Sequence, residues 1–127
     1  MFQNLQTMNI TDKDNLIPLT PQTFHILLAL SAAQDNGFGI MKTIENDSQG
    51  VIRVAPGTLY PALKRLCHFG YIREIGQHSA SGRHGVTRVY RITPTGQQVL
   101  FLELTRYAQT AELGKLRLQA TTPDRVQ

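Results

Sequence analysis

Seven of the chain's Lys and Arg residues, Arg53, Lys64, Arg65, Arg73, Arg83, Arg88 and Arg91, fall between Ser48 and Leu102, where Glu74 is the only acid. That stretch carries +6, whereas the remaining residues sum to −2 and the whole chain to +4. Cations gathered this closely attract polyanions by Coulomb steering and counterion release, so phosphate recognition is the first chemistry on offer. Surplus Lys and Arg can also be mere solubilising surface, and topology has to decide. Within the stretch, the run from Pro56 to Leu66 places Leu59, Ala62, Leu63 and Leu66 on one side of a 3.6-residue period. Thr58, Pro61, Lys64, Arg65 and His68 fall on the other faces, so a helix here would bury its leucines and turn its cations outward.

Other chemistries find little support. Cys67 precedes His68, with His25, His78 and His84 elsewhere, but adjacent helical positions point about 100° apart and no His pair sits at i,i+4. Neither a metal site nor a cofactor is expected. A thiol sensor would need a stabilised thiolate, and a small half-buried filler is the simpler role for Cys67. Ser-His-Asp spacing is uninformative, no Gly-rich phosphate loop follows a strand, and paired acids are absent from any expected cleft, so an enzyme is not expected.

At 127 residues and 41% hydrophobic composition the chain has the size of one domain. No apolar run approaches the roughly 18 residues of a bilayer span. The N-terminus lacks a basic stretch followed by an apolar core, so a cytoplasmic location without membrane partners is expected.

These functional residues need elements to position them. Residues 1–18 are polar and weakly periodic and are expected to form an arm. Thr20 and Pro21 then give the cap and first position of a helix from Pro21 to about Ala33, with Phe24, Leu27 and Leu28 on its apolar face. Asp35-Asn36-Gly37 ends it, and a shorter helix follows from about Phe38 to Asp47, with Phe38 and Met41 in the core. The β-branched tetrad Val51-Ile52-Arg53-Val54 predicts a short strand. The basic helix comes next, starting near Pro56 so that Pro61 lies in the first turn, and Gly70 stops it. Tyr71–Ile75 and Arg88–Thr93 then read as a hairpin whose tip, Gly76 to Thr87, presents Arg83 and His84. Thr93-Pro94 repeats the cap-plus-proline start and opens a last helix to about Ala120. That helix carries more apolar surface than one small domain covers, so Leu100, Leu104, Tyr107 and Ala111 are expected at a homodimer seam. Residues 121–127 form a tail.

The expected fold class is therefore mainly α with a small β-hairpin. Helix, helix, short strand, helix and hairpin is the order of a winged helix-turn-helix, over residues 19–93, followed by a dimerisation helix over residues 94–120. In that fold the third helix enters the major groove of double-stranded DNA and the wing lies over the neighbouring backbone. The basic elements are those that would touch DNA. A winged-helix module binding protein instead is the alternative.

Leu19-Thr20-Pro21, Gly37-Phe38-Gly39-Ile40, the block from Pro56 to Leu66, Gly70-Tyr71-Ile72 and Tyr90-Arg91-Ile92-Thr93-Pro94-Thr95-Gly96 together resemble the PadR family of bacterial transcriptional regulators. The resemblance spans Leu19 to about Leu104, and Gly57-Thr58-Leu59-Tyr60-Pro61-Ala62-Leu63 is its most specific block. It implies a dimeric repressor with Thr58, Tyr60, Pro61, Lys64 and Arg65 at the DNA, and it leaves a small-molecule effector open; the two-fold symmetry of a dimer predicts a pseudo-palindromic operator. Arg83, His84 and Arg88 of the wing are expected to add contacts. Cys67-His68-Phe69 stands where family members often carry acids, and the last helix has no Trp, its aromatics being Phe101 and Tyr107.

Overall fold

The computed structural model describes residues 17–79 and 86–120. Helix α1 (Pro21–Ala32) begins as its cap predicts: the Thr20 side chain accepts the Thr23 N–H, and Pro21 occupies a position that needs no donor. Thr23, Phe24, Ile26, Leu27, Ala29 and Leu30 are all buried, so α1 is enclosed on most of its circumference. A two-residue strand β1 (Asp35–Asn36) leads into α2 (Gly37–Asp47), where the Asn36 side chain accepts the Gly39 N–H. Helix α3 (Pro56–His68) follows, then strands β2 (Ile72–Ser79) and β3 (Val86–Ile92), and finally the long helix α4 (Pro94–Ala120). This is a mainly helical fold with a small antiparallel sheet, in the order of a winged helix-turn-helix.

The sheet departs from expectation at its third strand. Val51–Val54 forms no strand; β1 pairs with β3 instead, Asp35 opposite Tyr90 and Asn36 opposite Val89. The physical reason lies in who satisfies the backbone. Gln49 and Gly50 both take positive φ, turning the chain sharply, and the Ser48 hydroxyl then accepts the Ile52 N–H at 2.9 Å. The segment thereby has a local donor sink and runs straight into α3, with Val51 exposed and Val54 in the core. The wing strands are longer than expected, and a bulge at Ile75 separates the Glu74–Tyr90 pair from the Gly76–Val89 pair.

One core gathers Ile26, Leu27 and Leu30 of α1, Ile40 and Ile44 of α2, Leu59, Leu63 and Leu66 of α3, Tyr71, Ile72, Tyr90 and Ile92 of the sheet, and Val99 and Leu100 of α4. Phe38, expected in it, lies outside: its side chain is 66% exposed. It precedes the inward-facing Ile40 and Ile44 by spacings that place it on the opposite side of α2.

Thr93 ties three elements. Its hydroxyl donates to the Gly70 carbonyl at 2.5 Å and accepts the Gly96 N–H at 3.0 Å, while its own N–H donates to the Tyr71 carbonyl at 3.0 Å. Gly70, in the left-handed region at φ 78°, ends α3 as its position predicts. Glu103 on α4 makes the longest-range tie: buried to 3%, it accepts the Leu19 N–H at 2.6 Å and the Arg106 guanidinium at 2.8 Å. Removing it leaves a buried N–H unsatisfied as the chain enters α1. Glu103→Ala is expected to lower stability by about 2 kcal/mol in urea unfolding, and Glu103→Gln by less, since the amide oxygen can still accept.

Candidate nucleic-acid interface

Helix α3 has no side-chain cap at Ala55 and starts on Pro56. Leu59, Ala62, Leu63 and Leu66 are each at or below 1% exposure, which fixes the rotation of the helix about its axis. Thr58, Tyr60, Pro61, Lys64 and Arg65 are consequently all exposed, as their spacing predicts. Pro61 is the exception in placement, being the sixth residue of the helix rather than part of its first turn. The carbonyl it leaves without an i+4 donor belongs to Gly57, which is exposed and open to solvent.

Between α3 and the wing runs a groove of about 650 Å³ bounded by Tyr60, Pro61 and Lys64 on the helix and by Glu74, Arg88 and Tyr90 on the strands, with Cys67 at its floor. Four of the residues expected at DNA, Tyr60, Pro61, Lys64 and Arg88, therefore share one concavity. Thr58 and Arg65 are exposed on the same helix outside it. Arg83 and His84 lie outside the described residues. Arg73 and Arg91 sit directly opposite each other across β2 and β3 and are exposed. Strand alternation puts them on the sheet face away from the groove, so the basic segment divides into two surfaces.

Tyr60 is 48% exposed and its ring lies against the start of α2. A side chain at Gly37 would collide with the phenol, so the glycine is what leaves room for the Tyr60 ring against the start of α2. A second concavity of about 480 Å³ opens on the far side of Tyr60, where Phe38 and Thr87 join Arg88 and Tyr90. Glu74 and Tyr90 were not among the residues singled out for the interface; Glu74 stood out only as the one acid of a basic segment. It pairs with Arg88 at 3.8 Å, both side chains substantially exposed, an arrangement that water and salt weaken readily.

The residues expected at a dimer seam separate into two groups. Leu100 belongs to the core of its own chain at 5% exposure, whereas Leu104 and Tyr107 are 41% and 37% exposed and Ala111 is exposed. Further along α4, Leu113, Leu116 and Leu118 are also exposed. The Tyr107 ring meets Phe24 edge-on, with centroids 4.9 Å apart, so part of it is already packed against α1.

Among the described residues no His, Cys, Asp and Glu cluster could hold a metal ion. The Cys67 thiol is held above its ordinary range, chiefly by burial and then by the negative charge of Glu74. A raised pKa leaves less thiolate at neutral pH, the reverse of what a thiol sensor needs. Alkylation of Cys67 between pH 7 and 8 should be slower than that of a free thiol, accelerating only at higher pH; Glu74→Gln should shift the rate profile toward lower pH.

The family model described as the transcriptional regulator PadR-like family matches residues 26–101, more than half of the chain. No curated protein sequence matches significantly. A transcriptional regulator from Clostridium thermocellum superposes with a TM-score of 0.60 at 26% identity, over 73% of this chain and 85% of that one. A PadR-like transcriptional regulator from Bacillus cereus gives 0.64 at 20% identity, over 77% and 91%. The Bacillus subtilis PadR structure in complex with operator DNA gives 0.60 at 22% identity, over 68% of this chain and 48% of that one. Sequence match, element order and the winged helical fold agree: this chain belongs to the PadR-like family of transcriptional regulators.

Proposed function

We propose that the protein regulates transcription by binding a pseudo-palindromic operator as a homodimer, most simply as a repressor that occludes a promoter. The observation that carries this is the placement of Tyr60, Pro61, Lys64 and Arg88 around one groove, on the side of α3 opposite its buried leucines. A winged helix laid on B-DNA sends its third helix into the major groove and its wing over the adjacent backbone, so the strand between the two grooves passes through such a concavity. Lys64, Arg88 and the Tyr60 hydroxyl suit phosphate, and Arg65, with its planar fork, suits a guanine edge. Thr58 and Pro61 stand beside them at the start of the same face. Arg83 and His84 of the wing tip would add backbone contacts. That the Bacillus subtilis PadR structure is a complex with operator DNA supports DNA binding here.

Two-fold binding rests on α4. Leu104, Tyr107 and Ala111 share one face of a helix of 27 residues and leave an apolar stripe there, which a second copy can cover. Leu100 would support that seam from within its own core. The DNA-binding unit of residues 19–93 and the dimerisation helix of residues 94–120 would then divide the work, in the cytoplasm where the DNA is. Among the described residues no helix is long and apolar enough to cross a membrane.

Two measurements test this. Lys64→Ala and Arg65→Ala should both weaken duplex binding with folding intact. A phosphate contact at Lys64 should weaken all sequences and flatten the salt slope by about one, whereas a base contact at Arg65 should lose about 1–3 kcal/mol and relax preference at one base pair. Unchanged affinity in the double variant would remove α3 as the reader, and binding that ignores salt would favour the protein-interaction alternative. Leu104→Asp should shift the solution mass from dimer to monomer by light scattering; a wild-type monomer at micromolar concentration would end the dimer proposal.

A further inference from the structure

Away from α4, the large apolar side chains left exposed among the described residues are Phe38, Val51 and Tyr60. Two of them, Phe38 and Tyr60, border the same concavity, one from the first turn of α2 and one from α3, with Arg88 of the wing closing it. The Phe38 ring is not idle surface. The Lys42 ammonium, one turn further along α2, sits 5.6 Å from its centroid. One side of the ring is thus associated with a cation, while two-thirds of the side chain remains open to solvent. An aromatic plate flanked by ammonium and guanidinium groups matches an alternation of apolar and anionic groups. A DNA strand offers that alternation in its deoxyribose rings and phosphates.

We propose that Phe38 and Lys42 form a second backbone anchor, in which the Phe38 ring packs on a deoxyribose of the strand passing between α3 and the wing, and Lys42 neutralises the adjoining phosphate. This rests on the DNA-binding reading and extends the interface from α3 and the wing to the start of α2. The neighbouring geometry favours it. Gly37 lets Tyr60 close against α2, so Phe38 and the α3 contacts belong to one continuous surface. The short β1–β3 pairing, Asn36 opposite Val89, holds the start of α2 beside the wing strand that carries Arg88. Contacts to sugar and phosphate position a protein on the duplex without reading sequence, so Phe38 should contribute affinity in every sequence context. Its contribution is apolar, and should leave the number of released counterions unchanged.

The test uses the full chain and two duplexes, one selected by the wild-type protein from a random pool and one of random sequence, titrated over a salt series. Phe38→Ala should weaken both by similar factors, roughly tenfold, with the slope of log affinity against log salt unchanged. Phe38→Leu should retain most of the affinity. Lys42→Ala should weaken both and flatten the slope by about one. Thermal unfolding should be unaffected in all three, because neither side chain is in the core. Wild-type affinity in Phe38→Ala would overturn the anchor while leaving the DNA reading standing. So would a loss confined to the selected duplex, which would make Phe38 a base reader. Failure of the wild-type protein to bind either duplex would overturn the DNA-binding reading itself, and the anchor with it.

Discussion

The orientation of α3 is set by one constraint, the burial of Leu59, Ala62, Leu63 and Leu66 at or below 1% exposure. Fully burying a leucine is worth about 1.5–3 kcal/mol, whereas an exposed ion pair contributes about 0–1 kcal/mol. Apolar burial therefore wins over any preference of the surface charges, and it alone chooses which side of the helix meets solvent. Lys64 and Arg65 are exposed because the leucines are not. The placement of Tyr60 follows from the same rotation, which brings its ring to the start of α2, where Gly37 makes room.

Much of this was legible in the residues. Thr20-Pro21 and Thr93-Pro94 marked helix starts because caps act within one turn, and Gly70 marked a stop because a left-handed residue disfavours any side chain. The outward set on α3 was legible because a helix with a clear apolar stripe has only one way to bury it. What failed depended on contacts distant in sequence. Asp35–Asn36 has poor strand propensity and became β1 only because the edge of β3 lay beside it, while β-branched Val51–Val54 found a local partner in Ser48. Phe38 looked like core because periodicity does not say how far around a short helix the core extends.

The candidate site shows the same division. Tyr60, Pro61, Lys64 and Arg88 were recognisable singly, but that they border one groove is a property of the packing of α3 on the wing. Glu103 illustrates the limit more sharply. Its pairing with Arg106 is local and could be anticipated from i,i+3 spacing, yet its bond to the Leu19 N–H spans 84 residues and has no local signature. Leu100 and Leu104, one turn apart on α4, differ in the same way: the end of the domain core falls between them. The basic segment also divides in space. Arg73 and Arg91 face each other across the wing on the side away from the groove, a like-charge pairing that the sheet must hold against repulsion.

Thr93 fixes an angle within the fold. Its three hydrogen bonds fasten the end of α3 and the base of the wing to the first turn of α4. Helix α4, at 27 residues, is about 40 Å long, so a swing of about 10° at this joint would carry its far end by about 7 Å. In the proposed two-fold assembly joined along α4, the same angle would become the distance between the two α3 helices. The spacing of half-sites that the proposed dimer could straddle would then be set by a threonine outside the candidate interface. The joint would be a protractor, and the operator's length the quantity it reads off.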